Sequence, residues 1–187
     1  METAKSPAGF TLVELLVVIV LVAVMAHFAM PSLTKVIDNS YRSTAASDMI
    51  SLINIARNTA VMERSTVTVC PLDETKSCSH NWSARPITVF RDPEADRVLQ
   101  KDSDVIRTLN TQEKGKWKAN TSSRPYFRFF ATGIANYAIG NMTWCPNDND
   151  TSNAIHIIIN MGGRLRLAKD RDGDGVVENT QGDPVSC

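Results

Sequence analysis

From Phe10 to Met30 the chain is apolar at every position except Thr11, Glu14 and His27. That length is close to the ~20 residues a helix needs to cross the hydrocarbon core of a bilayer. Beyond Pro31 the pattern changes to a stripe. Leu33, Ile37, Tyr41, Ala45, Met49, Ile53, Ala56 and Ala60 recur at spacings of three and four, with Lys35, Asp38, Asn39, Arg42, Asp48, Asn54 and Arg57 between them. The two patterns join into one predicted helix from about Phe10 to Met62, roughly 80 Å long at 1.5 Å per residue. Residues 10–30 form its membrane-crossing part and 31–62 its amphipathic part.

Residues 63–187 read as strands. Ser65–Cys70 alternates, and Ile87–Phe90, Tyr126–Phe130, Ala154–Ile159 and Arg164–Leu167 follow. Asp92-Pro93, Gly115, Ser123 to Pro125, Gly140-Asn141 and Gly162-Gly163 mark turns between them. Residues 101–124 are polar and are expected to form an exposed excursion. No internal repeat is visible. The fold class that results is α+β, a long helix packed on a mainly antiparallel sheet.

Glu14 sets a charge inside the apolar run, which costs at least ~2.5 kcal/mol at bilayer depth. Such a carboxylate calls for a partner. The whole chain of 187 residues carries no net charge, so overall basicity points to neither nucleic acid nor anionic lipid. Its four cysteines, Cys70, Cys78, Cys145 and Cys187, all follow the apolar run, and an even number in an exported domain suggests disulfides. Of three possible pairings the reading favours Cys70 with Cys78, closing a short polar loop, and Cys145 with Cys187, tying down the last stretch. A zinc site is the rival, but there is no CxxC and His80 is the only histidine near a cysteine in sequence.

Gly9-Phe10-Thr11-Leu12-Val13-Glu14 resembles the cleavage site of type IV prepilins. The resemblance implies a leader of residues 1–9, removed after Gly9 by a membrane prepilin peptidase that also N-methylates Phe10. It implies that Glu14 is the assembly residue, paired in a filament with the amino terminus of a neighbouring subunit. Two opposite charges attract far more strongly in hydrocarbon than in water, and neither is stable there alone. A secretory signal peptide would instead place small residues after the apolar run. Cys70-Pro71, Cys78-Ser79, Trp82, Val89-Phe90-Arg91-Asp92 and Gly163-Arg164-Leu165-Arg166-Leu167 resemble the GspH/FimT family of minor pilins and pseudopilins. A member of that family sits in the inner membrane with its globular domain in the periplasm, then enters a surface filament with major and minor pilins.

No GxSxG, Walker loop, HExxH or dinucleotide fingerprint occurs, and His27, His80 and His156 lie far apart, so the chain is read as no enzyme and as needing no cofactor. Asp170-Arg171-Asp172-Gly173-Asp174-Gly175 matches the first half of a calcium loop. Gln181 stands where the closing glutamate belongs, leaving Glu178 or Asp183 to substitute; the alternative is a solvated acidic turn. Arg164, Arg166, Lys169 and Arg171 form a basic cluster, with Arg164 and Arg166 on one face of a strand, spaced to hold successive phosphates. Gly163-Arg164-Leu165-Arg166 also resembles the GRxR segment of DNA-uptake members of the family. A second basic stretch, Lys114, Lys116, Lys118, Arg124 and Arg128, lies among Trp117, Tyr126 and Phe127, a mixture suited to single strands. The leading reading is a minor pilin acting in assembly or initiation of a type IV pilus. Its alternatives are a DNA-binding minor pilin for transformation and a type II secretion pseudopilin.

Overall fold

The computed structural model describes residues 9–110, 115–121, 123–135 and 139–187, and for 27–35 the helical backbone alone. The leader residues before Gly9, the side chains of His27 and Pro31, and Lys114 lie outside the described residues. One helix, α1, runs from Leu12 to Glu63, and the chain divides into two compact units, residues 1–40 and 41–187.

In the first unit the helix starts two residues later than the apolar pattern does. Thr11 is the reason. Its side-chain oxygen accepts from the Glu14 backbone N–H at 3.2 Å, and the Glu14 carboxylate accepts from the Thr11 N–H at 3.3 Å. This reciprocal capping box satisfies two backbone donors that a helix start leaves unpaired. From Leu12 to Met25 the large apolar side chains are at least half exposed all round the helix.

The second unit begins in the same helix at Tyr41. Met49, Leu52, Ile53, Ala56 and Ala60 are buried, and Ala45 packs beside them. A fully buried Leu, Ile or Met contributes roughly 1.5–3 kcal/mol, so this face carries most of the helix's attachment. The amphipathic stripe is therefore real from Ala45 onward, whereas Tyr41 and Ile37 stay exposed. The helix ends where Arg64 turns left-handed (φ 51°) and Ser65 N–H reaches back to the Ala60 carbonyl, a Schellman-type stop without glycine. Beside that stop Arg91 grips Glu63 with two bonds of 2.6 Å, which draws the Glu63 carboxyl below its usual range.

Two four-stranded antiparallel sheets enclose the helix face, not one. The first contains β1 (Val67–Pro71), β2 (Ile87–Arg91), β3 (Val105–Leu109) and β5 (Phe127–Phe129), in the order β3-β2-β1-β5. The second contains β4 (Gly115–Asn120), β6 (Gly140–Pro146), β7 (Ile155–Ile159) and β8 (Leu165–Leu167), in the order β4-β6-β7-β8. Val67, Val69, Ile87, Val89, Phe127 and Phe129 of the first sheet and Trp117, Met142, Trp144, Ile155, Ile157 and Ile159 of the second share one buried cluster with the helix face.

The predicted excursion over 101–124 is thus corrected. It holds a 3-10 turn (Asp102–Asp104), then β3 and β4. Gly115 and Gly140, read as turn signals, begin strands β4 and β6. At Gly115 the cause is packing: a Cβ there would lie 2.3 Å from the Trp144 ring, so the strand needs a residue with no side chain.

Both sheets are covered on their outer faces too. Cys70, Phe90, Leu99 and Tyr126 form a second small core over the first sheet. That is why β1 is buried throughout although its sequence alternates. Over the second sheet, Ala154 packs with Val177 and Val185 from the stretch after β8.

Candidate functional site

The resemblance placed function at the head of the helix. Gly9 and Phe10 precede the capped turn, and Phe10 is 89% exposed. A Cβ on Gly9 would meet nothing within 4 Å. Glu14 lies exposed in the first helical turn, held back toward Thr11. The arrangement presents one carboxylate at the rim of an uncovered apolar cylinder, beside the Gly9–Phe10 peptide bond. Among the described residues no helix is long and apolar enough to cross a membrane. The described apolar side chains of this stretch end at Ala26, and those of 27–30, which the sequence reading includes in the crossing, lie outside the described residues.

The cysteines pair as Cys70–Cys78, with Cα atoms 5.5 Å apart, and Cys145–Cys187, with Cα atoms 5.6 Å apart. None is free. Leu72 and Cys78 bridge beside the first bond. The second bond joins β6 to the stretch after β8 across a separation of 42 residues.

The basic cluster near β8 is only partly on a strand. Arg166 lies in β8 opposite Ile158 of β7, but Arg164 precedes the strand in the turn, its N–H bonded to Asn160 Oδ1. Both are exposed, as are Lys169 and Arg171. Arg166, Lys169 and Arg171 share the wall of a hollow of about 370 Å³ with Ile158 and Glu178. The glycine ahead of Arg164 has its own structural cause. Gly163 is buried at φ 71°, and a Cβ there would lie 2.3 Å from the Gly133 carbonyl and 3.1 Å from Arg57 Nε.

The acidic loop departs from the predicted ligand set. Carboxylate oxygens of Asp170, Asp172 and Asp174 lie within 4.8 Å of one another on the surface. Glu178 does not join them: it is buried and turns its carboxylate to the Arg171 N–H, 3.1 Å away. The three aspartates also accept loop N–H groups, Asp170 from Gly173 and Gly175, Asp172 from Asp174, and Asp174 from Val176. Asx-type turns of this sort shape a loop without any ion, and three exposed carboxylates alone assign none.

The second basic stretch comes apart. Trp117 and Phe127 are core residues, and Trp82 packs edge-on against Phe127 at 5.7 Å between ring centres. Tyr126 is buried in the second core. Arg128 is buried as well. It pairs with Asp92 at 2.9 Å, donates to Thr68 and to the Ala95 carbonyl, and lies over the Tyr126 ring. Among the described residues no stacking platform for bases forms there. His156, also buried, faces Thr143 across β6 and β7, with Nδ1 2.8 Å from the hydroxyl and Nε2 without a partner among the described residues; burial lowers its pKa.

A long N-terminal helix packed on antiparallel sheets and headed by this motif defines a pilin-like subunit. The chain belongs to the GspH family: the model of type II transport protein GspH matches residues 45–163, and that of the prokaryotic N-terminal methylation motif matches residues 5–30. Members of the family are pilins and pseudopilins, filament components rather than enzymes. No curated protein matches the chain. Among solved structures it is similar to the type IV minor pilin FimU of Pseudomonas aeruginosa, with 18% identity, 68% of this chain and 92% of that one covered, and a TM-score of 0.50. The minor pseudopilin EpsH from the type 2 secretion system of Vibrio cholerae follows, with 10% identity, coverage of 67% and 94%, and a TM-score of 0.48. At such identities the FimU likeness speaks for the fold.

Proposed function

We propose that the chain is a minor pilin of a type IV pilus, anchored in the inner membrane by residues 10–30 after cleavage at Gly9, and that it enters the filament through Phe10 and Glu14. The observation that carries this is the head of α1: apolar side chains at least half exposed all round from Leu12 to Met25, broken by one carboxylate. An apolar surface of that extent marks a site of contact with lipid or with like helices. The carboxylate then needs a cation, and the new amino terminus of a neighbouring subunit supplies one. Other pilins and a prepilin peptidase with methyltransferase activity are the partners this reading requires. The two disulfides suit a domain carried outside the cytoplasm. The test is Glu14→Ala, scored by shearing and immunoblot: membrane insertion should persist while filament incorporation falls. Normal incorporation overturns the reading. Loss of secretion with piliation intact in a deletion strain would assign the chain to a type II secretion system instead.

A second reading, contact with duplex DNA, is favoured by one observation: Arg164, Arg166, Lys169 and Arg171 are all exposed within a short stretch, and three of them share one hollow. Phosphate contacts of this kind weaken steeply with salt. Arg164→Gln with Arg166→Gln should abolish a gel shift at low salt; unchanged affinity removes the idea.

A further inference from the structure

The GspH match ends at residue 163, but the chain continues over the second sheet. Residues 168–187 form a strap with three properties. It is bonded to itself: Arg171 N–H to Glu178, Val185 N–H to Val177, and Asn179 N–H to Asp183. Its hydrogen bonds to the sheet lie at its two ends, where the Ala168 N–H meets the His156 carbonyl at 2.8 Å and Lys118 Nζ meets the Cys187 carbonyl. Between those ends Val177 and Val185 sit on Ala154, with Val176 partly buried beside them and Ala168 and Cys187 at the ends, in a small cluster separate from the main core. The hollow lined by Ile158, Arg166 and Glu178 lies beside its first loop, so packing there is incomplete.

An internally bonded segment with few apolar contacts opens more readily than the core it covers. The bond that opposes opening is Cys145–Cys187. Cys145 is 1% exposed beneath the strap, and Cys187 is half-buried at its far end. The other disulfide differs. Cys70–Cys78 closes a short loop that backbone bonds already hold, from Ser79 N–H to Pro71, Cys78 N–H to Arg97 and Asp73 N–H to Ser77.

We propose that residues 168–187 are a redox-latched strap: reduction of Cys145–Cys187 alone detaches it and uncovers the outer face of the second sheet, while the rest of the domain stays folded. The co-reactant is a dithiol reductant. Its thiolate attacks the more accessible Cys187 Sγ, the S–S bond breaks, and the electron pair leaves on Cys145, which takes a proton. The reductant's second thiolate then displaces Cys187 as a thiol and closes its own disulfide, so two electrons and two protons pass to the protein.

The test uses the full chain in detergent and measures hydrogen exchange of the oxidised protein, the protein treated with dithiothreitol, Cys187→Ser and Cys78→Ser. Cys187→Ser and the reduced protein should exchange at least tenfold faster across 168–187, with the peptides of α1 from Tyr41 and of β1 unchanged. Iodoacetamide should alkylate Cys145 in Cys187→Ser at the rate of an exposed thiol. Cys78→Ser should leave 168–187 protected. The proposal fails if the strap keeps its protection once the bond is broken, or if α1 and β1 lose theirs along with it. Should Cys187→Ser not fold, dithiothreitol added to Cys78→Ser, in which Cys145–Cys187 is the one disulfide left to reduce, decides between these results.

Discussion

Arg128 and Asp92 form an ion pair sealed inside the domain, 2.9 Å apart, with Asp92 2% exposed and Arg128 8% exposed. The pair joins β5 to the turn after β2. Asp92 accepts from Thr68, whose position in β1 lies opposite Arg128, and from the N–H groups of Asp96 and Arg97. One carboxylate thereby fixes a turn containing two left-handed residues, Ala95 and Arg97.

Breaking such a pair by removing one partner strands the other charge and costs ~3–5 kcal/mol. Arg128→Ala is expected to lower stability by that order, read from the urea midpoint. Replacing Lys116, which is exposed, should change stability by less than about 0.5 kcal/mol. Equal effects would contradict the structural role given to Arg128.

Thr11 and Glu14 allow the cap to be separated from the charge. Thr11→Ala removes the N-cap oxygen, worth ~1 kcal/mol, and should speed amide exchange in the first turn of α1. Glu14→Gln keeps an acceptor for the Thr11 N–H and should leave that exchange nearly unchanged while still lowering filament incorporation. If both variants incorporate equally well, the charge has no part in assembly.

Burial holds the pKa of His156 below its ordinary 6.5. The unfolded chain then binds a proton more readily than the folded one, so stability falls as pH drops from about 6.5 through the folded pKa and levels off below it. His156→Gln cannot take that proton, and its stability should vary less between pH 7 and pH 5. Parallel pH profiles for the two proteins would refute this.

Gly163→Ala puts a methyl group against the Gly133 carbonyl at a left-handed position. It should cost at least ~1 kcal/mol. A loss of DNA binding in that variant would therefore report the turn rather than a contact, and circular dichroism melting distinguishes the two.

Much of the fold lay open to a reading of local pattern. The 3.6-residue stripe from Ala45 to Ala60 and the alternation through Val67 and Val69 located α1 and β1 within a few residues. The missed strands are β3, β4 and β6: β3 and β4 are polar on their exposed faces, and β4 and β6 both open on a glycine, that of β4 demanded by Trp144, distant in sequence. Thr11-x-x-Glu14 is a capping signature legible in the chain, and the same glutamate is both the cap's acceptor and the charge within the apolar run. The alternation Lys116-Trp117-Lys118-Ala119 hinted that Trp117 turns inward, whereas for Arg128 the chain offered no such sign.

The order of residues alone determined the apolar helix, its lone carboxylate and the motif ahead of it, because each depends on neighbours a few positions apart. Tertiary structure decided what no such interval encodes: the division into two sheets, the burial of Arg128 on Asp92, the separation of Glu178 from the aspartate loop, and the strap under Cys145–Cys187. These depend on contacts between residues far apart in sequence, and burial, unlike periodicity, is settled only when the second surface arrives.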